Sequence, residues 1–384
     1  MGPIRKQLRM RHKPETGFQQ ILRRMDTDQH RRLSEKAPLW AETKGVTIPG
    51  KLSLEQCSSQ AAALYKASLS PDGDIADLTS GLGIDVWAFA RKNRESKVYY
   101  NDISEVLCEA ARKNFPLLGI DNVEISNLSA EERLSSLGQV GMIFLDPARR
   151  DVAGKKVFRL EECSPNVLEL LPECWKHSRT VMMKLSPMMD LTMLERQLPM
   201  LSEIHIIGSG NECKEIICIL RRDFRGLPEL NVVQLGKEVS RLGLGTSDDK
   251  ERAESSGIPS VGDILMEPSA ALAKSGRCNR ICRMFGLSRL GESVNLFKLS
   301  DSKAAHRPAE GFFKTYRVLE VTGYGRQTFR KIGARYPRAD VSAKNLPIRS
   351  EDLKKKMGIT GSSEVHIFAL GLNPETIVVT DRID

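Results

Sequence analysis

The stretch that decides the fold is Asp77-Leu78-Thr79-Ser80-Gly81-Leu82-Gly83-Ile84-Asp85 (DLTSGLGID), between an apolar strand pattern and a helical one. Glycine adopts positive φ at low cost and lets a ligand approach the backbone closely. A helix that begins directly after such a turn presents unpaired N–H groups to polar or anionic ligand atoms. The stretch therefore predicts a strand–turn–helix unit with a ligand site at the carboxyl end of a parallel strand.

Strand and helix patterns alternate on both sides of this turn. The predicted strands are Ile75–Leu78, Lys97–Tyr100, Val123–Ile125, Met142–Leu145, Thr180–Leu185, Glu203–Gly208 and Glu215–Leu220. The predicted helices are Ser53–Leu69, Ile84–Lys92, Ser104–Asn114, Leu168–His177 and Met193–Leu201. Strands separated by helices at this spacing predict an α/β fold with a mainly parallel, Rossmann-like sheet. The last two strands have no helix between them, so an antiparallel strand is expected to close the sheet.

A chain of 384 residues is too long for one average domain. We predict a basic helical region over residues 1–50 and an α/β domain over 51–222. A connecting strand and loop follow over 223–264, and a smaller α/β domain over 265–384. Ser53, with Gln56 three positions later, predicts a capping box at the start of the helix before the glycine turn.

The composition is that of an ordinary globular protein, with 40% hydrophobic and 28% charged residues. No apolar run approaches the roughly 18 residues of a membrane span. The N-terminal residues are basic without an apolar core, so we expect no secretory signal and a cytoplasmic location. Eight cysteines in so long a chain do not form a disulfide-scaffold pattern, which favours reduced thiols.

Positive charge is concentrated at the two ends of the chain, whose formal net charge is +9. Residues 1–50 carry 11 Lys/Arg against 5 Asp/Glu, and residues 265–384 carry 21 against 12. The middle, 51–264, carries 26 against 32 and is slightly acidic. Basic ends indicate either a phosphate-bearing partner such as nucleic acid or simple solubility.

A second acidic residue, Asp102, ends the strand that follows the glycine turn. A carboxylate there can accept both ribose hydroxyls of an adenosine, while Asp77 can meet an ammonium group through charge-assisted hydrogen bonds. The dinucleotide pattern GxGxxG is not satisfied, because Val86 stands where its third glycine is required. A nicotinamide-dependent dehydrogenase is therefore disfavoured.

Together, DLTSGLGID, Tyr100-Asn101-Asp102 (YND) and Phe144–Arg150 (FLDPARR) resemble the motifs of the class I S-adenosylmethionine-dependent methyltransferases, over roughly residues 52–220. The resemblance implies S-adenosyl-L-methionine as cofactor. It implies that the methionine part lies at the glycine turn, the ribose at the second acid, and the adenine beside the residues after it. The implied cofactor residues are Asp77, Thr79, Gly81, Gly83, Asp102, Ile103, Asn127 and Asp146.

The segment after Leu145 occupies the position of that family's catalytic motif. Asp146 and Pro147 are kept, but Ala148, Arg149 and Arg150 follow where many amino-group methyltransferases have a second proline and then a base-stacking aromatic residue. We interpret Asp146 as the residue that orients or deprotonates the acceptor. Arg149 suits a phosphate or carboxylate near the reacting centre, or pairs with neighbouring acidic residues.

Weaker signals favour ordinary packing. Lys184 ends the next predicted strand, either at the same rim or as a plain strand-end charge. Carbon methylation through a cysteine nucleophile is disfavoured, because no suitable cysteine lies beside a proline. Cys278 and Cys282 form a lone CxxxC, so no metal is expected. His205 and His366 lie inside apolar strands and are interpreted as core residues.

Basic and aromatic residues alternate in the C-terminal part. The predicted RNA-binding residues are Lys331, Arg335, Arg338, Lys344 and Arg349, interleaved with aromatic side chains on which bases can stack. A solvated basic face is the alternative. The segment Tyr336–Ile348 (YPRADVSAKNLPI) resembles the THUMP-like, RNA-binding-like domains attached to some bacterial methyltransferases.

The sequence therefore predicts a methyltransferase that acts on a nucleotide in structured RNA, such as rRNA or tRNA. Two alternatives stay open. One is a methyltransferase for a protein or small-molecule acceptor, with the basic domain serving assembly. The other is a non-catalytic RNA-binding scaffold on the same fold. The sequence predicts neither the modified atom nor the oligomeric state.

Overall fold

The computed structural model describes residues 28–148, 159–246, 252–300 and 311–383. The chain forms two compact units, one ending at Ser136 and the other beginning at Leu137. These two units do not test the domain boundaries predicted from the sequence, which stay a prediction.

The first unit contains three short parallel strands, in the order β3-β2-β1. They are β1 (Ile75–Asp77), β2 (Val98–Asn101) and β3 (Val123–Ser126). In the register, Asp77 pairs with Tyr100, and Asn101 pairs with Ser126. The carboxyl ends of these strands therefore lie side by side, as the sequence predicts.

Seven helices accompany these strands among the described residues of the first unit. They are α1 (residues 28–36), α2 (Pro38–Glu42), α3 (Lys51–Gln56), α4 (Gln60–Leu69), α5 (Ile84–Lys92), α6 (Glu105–Leu117) and α7 (Ala130–Ser135). The described part of the basic N-terminal region packs within this unit. Trp40 is fully buried, and Lys36 donates to the carbonyl oxygens of Leu54, Glu55 and Cys57.

The single helix predicted over Ser53–Leu69 is wrong, because the chain breaks between α3 and α4. Ser59 is the N-cap of α4, and its side chain accepts from the N–H of Ala62. Ser53 lies inside α3, where its hydroxyl donates to the Gly50 carbonyl, so the capping box predicted there does not form. The break was not predicted because the apolar spacing of a helix continues across it. Ser59 is the signal that could have indicated it, since serine is a favoured N-cap residue.

The second unit begins with six strands in the order β4-β5-β7-β6-β8-β9. They are β4 (Met142–Leu145), β5 (Thr180–Leu185), β6 (Leu201–Ser209), β7 (Glu212–Arg221), β8 (Glu229–Leu235) and β9 (Val239–Gly245), with α8 (Val167–His177) and α9 (Leu191–Gln197). β4 and β5 are parallel, and β7 is antiparallel to both β5 and β6, as predicted. β8 and β9 extend the sheet beyond this pair, and β9 runs into a stretch predicted as loop.

A second sheet of seven strands follows, in the order β11-β12-β10-β13-β16-β15-β14. Its strands are β10 (Ile264–Pro268), β11 (Leu287–Arg289), β12 (Phe297–Leu299), β13 (Phe313–Gly323), β14 (Asp340–Lys344), β15 (Val365–Leu370) and β16 (Thr376–Arg382). Its helices are α10 (Ala270–Lys274), α11 (Cys278–Phe285), α12 (Arg326–Arg335) and α13 (Ser350–Met357). β14 and β15 are parallel, and every other adjacent pair in this sheet is antiparallel.

Two of these helices cover one face of the second sheet. Phe329 of α12 and Leu353 of α13 pack with Ile367 and Ile377 of the sheet in one buried apolar cluster. The second sheet is consistent with a separate C-terminal α/β domain, and the mixed α/β fold class with a parallel sheet is confirmed. Within the residues described, no helix has both the length and the apolar character needed to cross a membrane.

Candidate functional site

The glycine turn of the first unit is held by hydrogen bonds within its own segment and to the end of β2. Asp77 is 1% exposed, and its Oδ1 accepts from the N–H of Thr79 at 2.9 Å. The N–H of Ser80 donates to the Asn101 carbonyl at 2.9 Å. Asp77 therefore stabilises the turn through a hydrogen bond to its backbone. The predicted contact of Asp77 with an ammonium group stays a prediction.

Glycine stands at positions 81 and 83 of the turn for different physical reasons. Gly83 has φ +89°, and a Cβ added there would lie 2.9 Å from Cζ of Phe115. Gly81 has φ +55°, and no atom lies within 4 Å of an added Cβ. Gly83 is therefore required for packing under the turn, whereas Gly81 leaves its backbone open on the outer side, where a ligand can approach.

Asp102 is joined directly to this turn. Its Oδ2 accepts from the N–H of Gly81, and its Oδ1 accepts from the N–H of Ser104, both at 2.8 Å. The side chain is only partly buried. Because a carboxylate offers about four lone-pair positions, about two remain for hydroxyl groups. The structure thus brings together the predicted acid and the predicted glycine turn.

Two further predicted residues lie at the same carboxyl end. Ile103 is 78% exposed and offers an apolar side chain directly beside Asp102. Asn127, after β3, is exposed and donates from Nδ2 to the carbonyl oxygen of Asp102 at 2.8 Å. The contacts with adenine that the resemblance implies for Ile103 and Asn127 stay predictions.

Two residues that were not predicted from the sequence fix this arrangement. The hydroxyl of Tyr100 donates to the Gly81 carbonyl at 2.6 Å, and burial raises the pKa of Tyr100 so that it stays a neutral donor. Asn101 donates from Nδ2 to the carbonyls of Leu78 and Leu128 at 3.2 and 3.0 Å. The signal was present, because both precede Asp102 in the YND motif.

A buried ion pair at the start of α5 was also missed. Nζ of Lys66, on α4, lies 2.8 Å from Oδ1 of Asp85. Ser58 Oγ donates to the other oxygen of Asp85 at 2.7 Å and accepts from Lys66 at 2.5 Å. Lys66 is fully buried. These contacts fix the α3–α4 connection to the helix that follows the glycine turn.

In the second unit, the end of β4 carries the predicted acceptor residues Asp146 and Pro147. Asp146 Oδ2 lies 2.5 Å from Nζ of Lys184, at the end of the neighbouring parallel strand β5. Pro147 is buried, and Ala148 pairs with Ser164 through two backbone hydrogen bonds of 2.8 and 3.1 Å. The strand-end position predicted for Lys184 therefore places it in contact with Asp146.

Arg149, predicted to contact a phosphate or carboxylate near the reacting centre, lies outside the described residues. The five predicted RNA-binding residues all lie in or near α12, β14 and α13. Lys331 and Arg338 are exposed. Arg335 pairs with Glu320 at 2.9 Å and Arg349 with Asp352 at 2.8 Å. Lys344 is half-buried and pairs with Glu267 at 2.6 Å.

The histidine and cysteine residues singled out above are accommodated in the fold. His205 lies 3.1 Å from Glu203, and His366 Nε2 lies 2.8 Å from Ser342 Oγ. Cys282 is buried on α11. Across the described ranges, no group of three or more His, Cys, Asp or Glu side chains is arranged to hold a metal ion.

Comparison with solved structures shows what fold this is. A putative methyltransferase from Porphyromonas gingivalis W83 matches with a TM-score of 0.83 at 23% identity, covering 98% of this chain and 93% of that one. This likeness shows a methyltransferase-like fold for nearly the whole chain.

More distant matches cover part of the chain. TrmN from Thermus thermophilus has a TM-score of 0.34 at 18% identity, covering 49% of this chain and 53% of that one. NSun6 from Pyrococcus horikoshii with SFG has a TM-score of 0.33 at 17% identity, covering 42% and 51%. No protein-family model matches the sequence. No curated protein matches it either.

Proposed function

We propose that this protein is an S-adenosyl-L-methionine-dependent methyltransferase that modifies a nucleotide in structured RNA, such as rRNA or tRNA, in the cytoplasm. The observation that carries the proposal is the Asp102 carboxylate, fixed against the glycine turn with acceptor capacity left over. The methyltransferase-like fold over 98% of the chain supports it.

The residues of the first unit fit an adenosine-containing sulfonium. Asp102 would accept the two ribose hydroxyls, while Ile103 and Asn127 would contact the adenine by an apolar surface and an amide. Gly81 leaves its backbone open for the methionine part, with Thr79 beside it and Asp77 beneath. When bound, the cofactor supplies an electrophilic methyl group on a positively charged sulfur.

The acceptor would be handled by the end of β4. Asp146 accepts a hydrogen from the acceptor group and directs its lone pair, with Pro147 fixing the chain after the strand. Arg149 would contact a nearby phosphate. Methyl transfer to an aligned nucleophile depends mainly on proximity and orientation, so few groups are needed.

The RNA assignment rests on the C-terminal sheet and its charge. Residues 265–384 carry an excess of basic side chains, and Lys331 and Arg338 are exposed. We propose that this part is a THUMP-like domain that binds RNA through phosphate contacts and stacking. The carboxylate partners of Arg335, Arg349 and Lys344 favour the second candidate, in which the acceptor is a protein or small molecule and these pairs are structural.

The test compares modified nucleosides, by mass spectrometry, in RNA from cells with and without the gene. The expected result is the loss of one methylated nucleoside, restored by the wild-type gene and not by Asp102→Ala. Unchanged nucleosides would contradict the RNA assignment. Binding of the purified protein to the affected RNA is expected to weaken steeply with salt, because phosphate contacts release counterions.

A further inference from the structure

Resting on the proposed function, we infer that the methyl acceptor is a hydroxyl oxygen of an RNA ribose, activated by the Asp146–Lys184 pair, and not a nitrogen of a base.

The pair is built into the ends of two adjacent parallel strands. Leu145 of β4 is paired with Met183 of β5, so Asp146 and Lys184 follow at the same level. The Nζ–Oδ2 distance is 2.5 Å, with 12% of the Lys184 side chain and 32% of the Asp146 side chain exposed. The ammonium is therefore held in a largely desolvated position beside a more accessible carboxylate.

A second carboxylate lies on the same sheet face as Lys184. Lys184 pairs with Ile217 of β7, and Glu215 lies two residues before Ile217, hence on the same face. Glu215 is 5% exposed. The Lys184 ammonium group therefore contacts Asp146 and lies on the same sheet face as a second acidic residue.

The sign of that charge distinguishes the possible acceptors. A neutral nitrogen that attacks a sulfonium develops positive charge, which an adjacent ammonium disfavours. A hydroxyl that loses its proton develops negative charge on oxygen, which the same ammonium stabilises in a low-dielectric site. A lysine in contact with the orienting carboxylate therefore suits an oxygen acceptor.

The residues that follow Pro147 in the sequence also favour an oxygen acceptor. Ala148 presents a methyl group, and its backbone is tied to Ser164 by hydrogen bonds in both directions. Neither Ala148 nor the next residue in the sequence, Arg149, is aromatic, so neither supplies a ring to stack on a flipped base. A ribose hydroxyl needs no such ring, because it can be reached without unstacking the base.

The proposed reaction is a single methyl transfer to the ribose hydroxyl. The hydroxyl proton passes to the Asp146 carboxylate, and an oxygen lone pair forms the new bond to the methyl carbon. The carbon–sulfur bond breaks, and its electron pair stays on sulfur, which becomes a neutral thioether. Lys184 keeps its proton throughout and stabilises the oxygen while it carries negative charge.

The position of the transferred methyl group tests the inference. The purified full-length protein is incubated with methyl-labelled S-adenosylmethionine and total RNA from cells lacking the gene, and the RNA is then hydrolysed in alkali. Because alkaline cleavage needs a free 2′-hydroxyl, label is expected in alkali-resistant dinucleotides. Label in mononucleotides would overturn the inference and leave the proposed function standing. No label in any RNA would overturn both.

Variants test the role of the lysine. Lys184→Met is expected to lower methyl incorporation about 10²-fold or more, as for loss of one preorganised donor at a developing oxyanion. Lys184→Arg, which keeps the charge, should restore part of it. Calorimetric affinity for S-adenosylhomocysteine should stay within about twofold in both variants, since Lys184 is not assigned to the cofactor. The matched control is Lys176→Met, which removes an exposed ion-paired lysine of the same unit.

Full activity of a folded Lys184→Met protein would overturn the inference. Should that variant fail to fold, as judged by circular dichroism, the alkali assay on the wild-type protein and the activity of Lys184→Arg still decide it. A Lys184→Arg protein that folds and binds S-adenosylhomocysteine, yet is as inactive as Lys184→Met, would contradict the role assigned to the positive charge.

Discussion

At the scale of single residues, breaking the buried ion pair of Lys66 and Asp85 from one side is expected to destabilise the fold. Lys66 is fully buried and reaches Asp85 at 2.8 Å and Ser58 at 2.5 Å. Removing one partner of a buried pair leaves an uncompensated charge, whereas removing both does not. The pair therefore specifies how α4 is joined to the helix after the glycine turn more than it adds stability.

We predict that Lys66→Met lowers the free energy of unfolding by about 3–5 kcal/mol. The double variant Lys66→Met/Asp85→Asn should lose clearly less than the single one, because no unpaired carboxylate remains. Urea unfolding followed by circular dichroism measures both. Lys97→Met, at an exposed pair with Glu124, is the control and should change stability by about 0.5 kcal/mol or less. Additive losses in the double variant would contradict the account.

At the scale of elements, His366 on β15 is expected to make the stability of the second sheet depend on pH. Its ring stacks on Phe368 with centroids 4.2 Å apart, and Nε2 lies 2.8 Å from Ser342 Oγ. Burial lowers the pKa of His366 to about 4, although the Glu267 and Asp340 carboxylates oppose this, and Lys344 and Lys314 add to it. The folded sheet therefore holds this histidine neutral at pH 7.

Because the pKa of His366 is lower in the folded state than its ordinary 6.5, the unfolded chain binds more protons between about pH 6.5 and 4. This residue's contribution to stability is thus complete above pH 6.5 and is lost as the pH falls to about 4. We predict that the stability difference between wild type and His366→Gln shrinks by about 1–3 kcal/mol over this range. Urea unfolding at pH 7, 5.5 and 4 measures it. A difference that is constant with pH would show that His366 does not titrate in this way.

The elements also show how far the sequence alone could lead. Met142–Leu145 and Thr180–Leu185 were predicted with the observed bounds, because each is a short apolar run between clear breaks. The α3–α4 break was missed because apolar spacing continues through it. β10 was not predicted, because it ends at Pro268 directly before α10, and a proline followed by a helical pattern is typical of a helix start. Local patterns decide single elements, and only packing decides where two of them meet.

The same distinction applies to the candidate site. The contact of Asp102 with the glycine turn was predictable, because carboxyl ends of neighbouring parallel strands share an edge. The Lys66–Asp85 pair was not, since it joins a helix face to a helix start through a side-chain contact that has no sequence period. The Asp146–Lys184 pair was predictable only in part, because both strand ends were predicted but the contact between the two side chains was not.

At the scale of the whole molecule, the first unit carries the glycine turn and Asp102, for which we propose cofactor binding, and the second unit carries the Asp146–Lys184 pair and the second sheet. The solved structure with a TM-score of 0.83 covers 98% of the chain, so the likeness includes both units. The excess of basic residues after position 264 lies in the part for which we propose RNA contact.

The most direct test of the account is the calorimetric affinity of the full-length protein for S-adenosylhomocysteine. We predict binding by the wild type, and a loss of at least about tenfold in Asp102→Asn and more in Asp102→Ala, because charge-assisted hydrogen bonds to the ribose are removed. Asp121→Ala, an exposed acid of the same unit, should bind as wild type does. Equal affinity in wild type and in folded Asp102 variants would contradict the central claim that this carboxylate holds the cofactor.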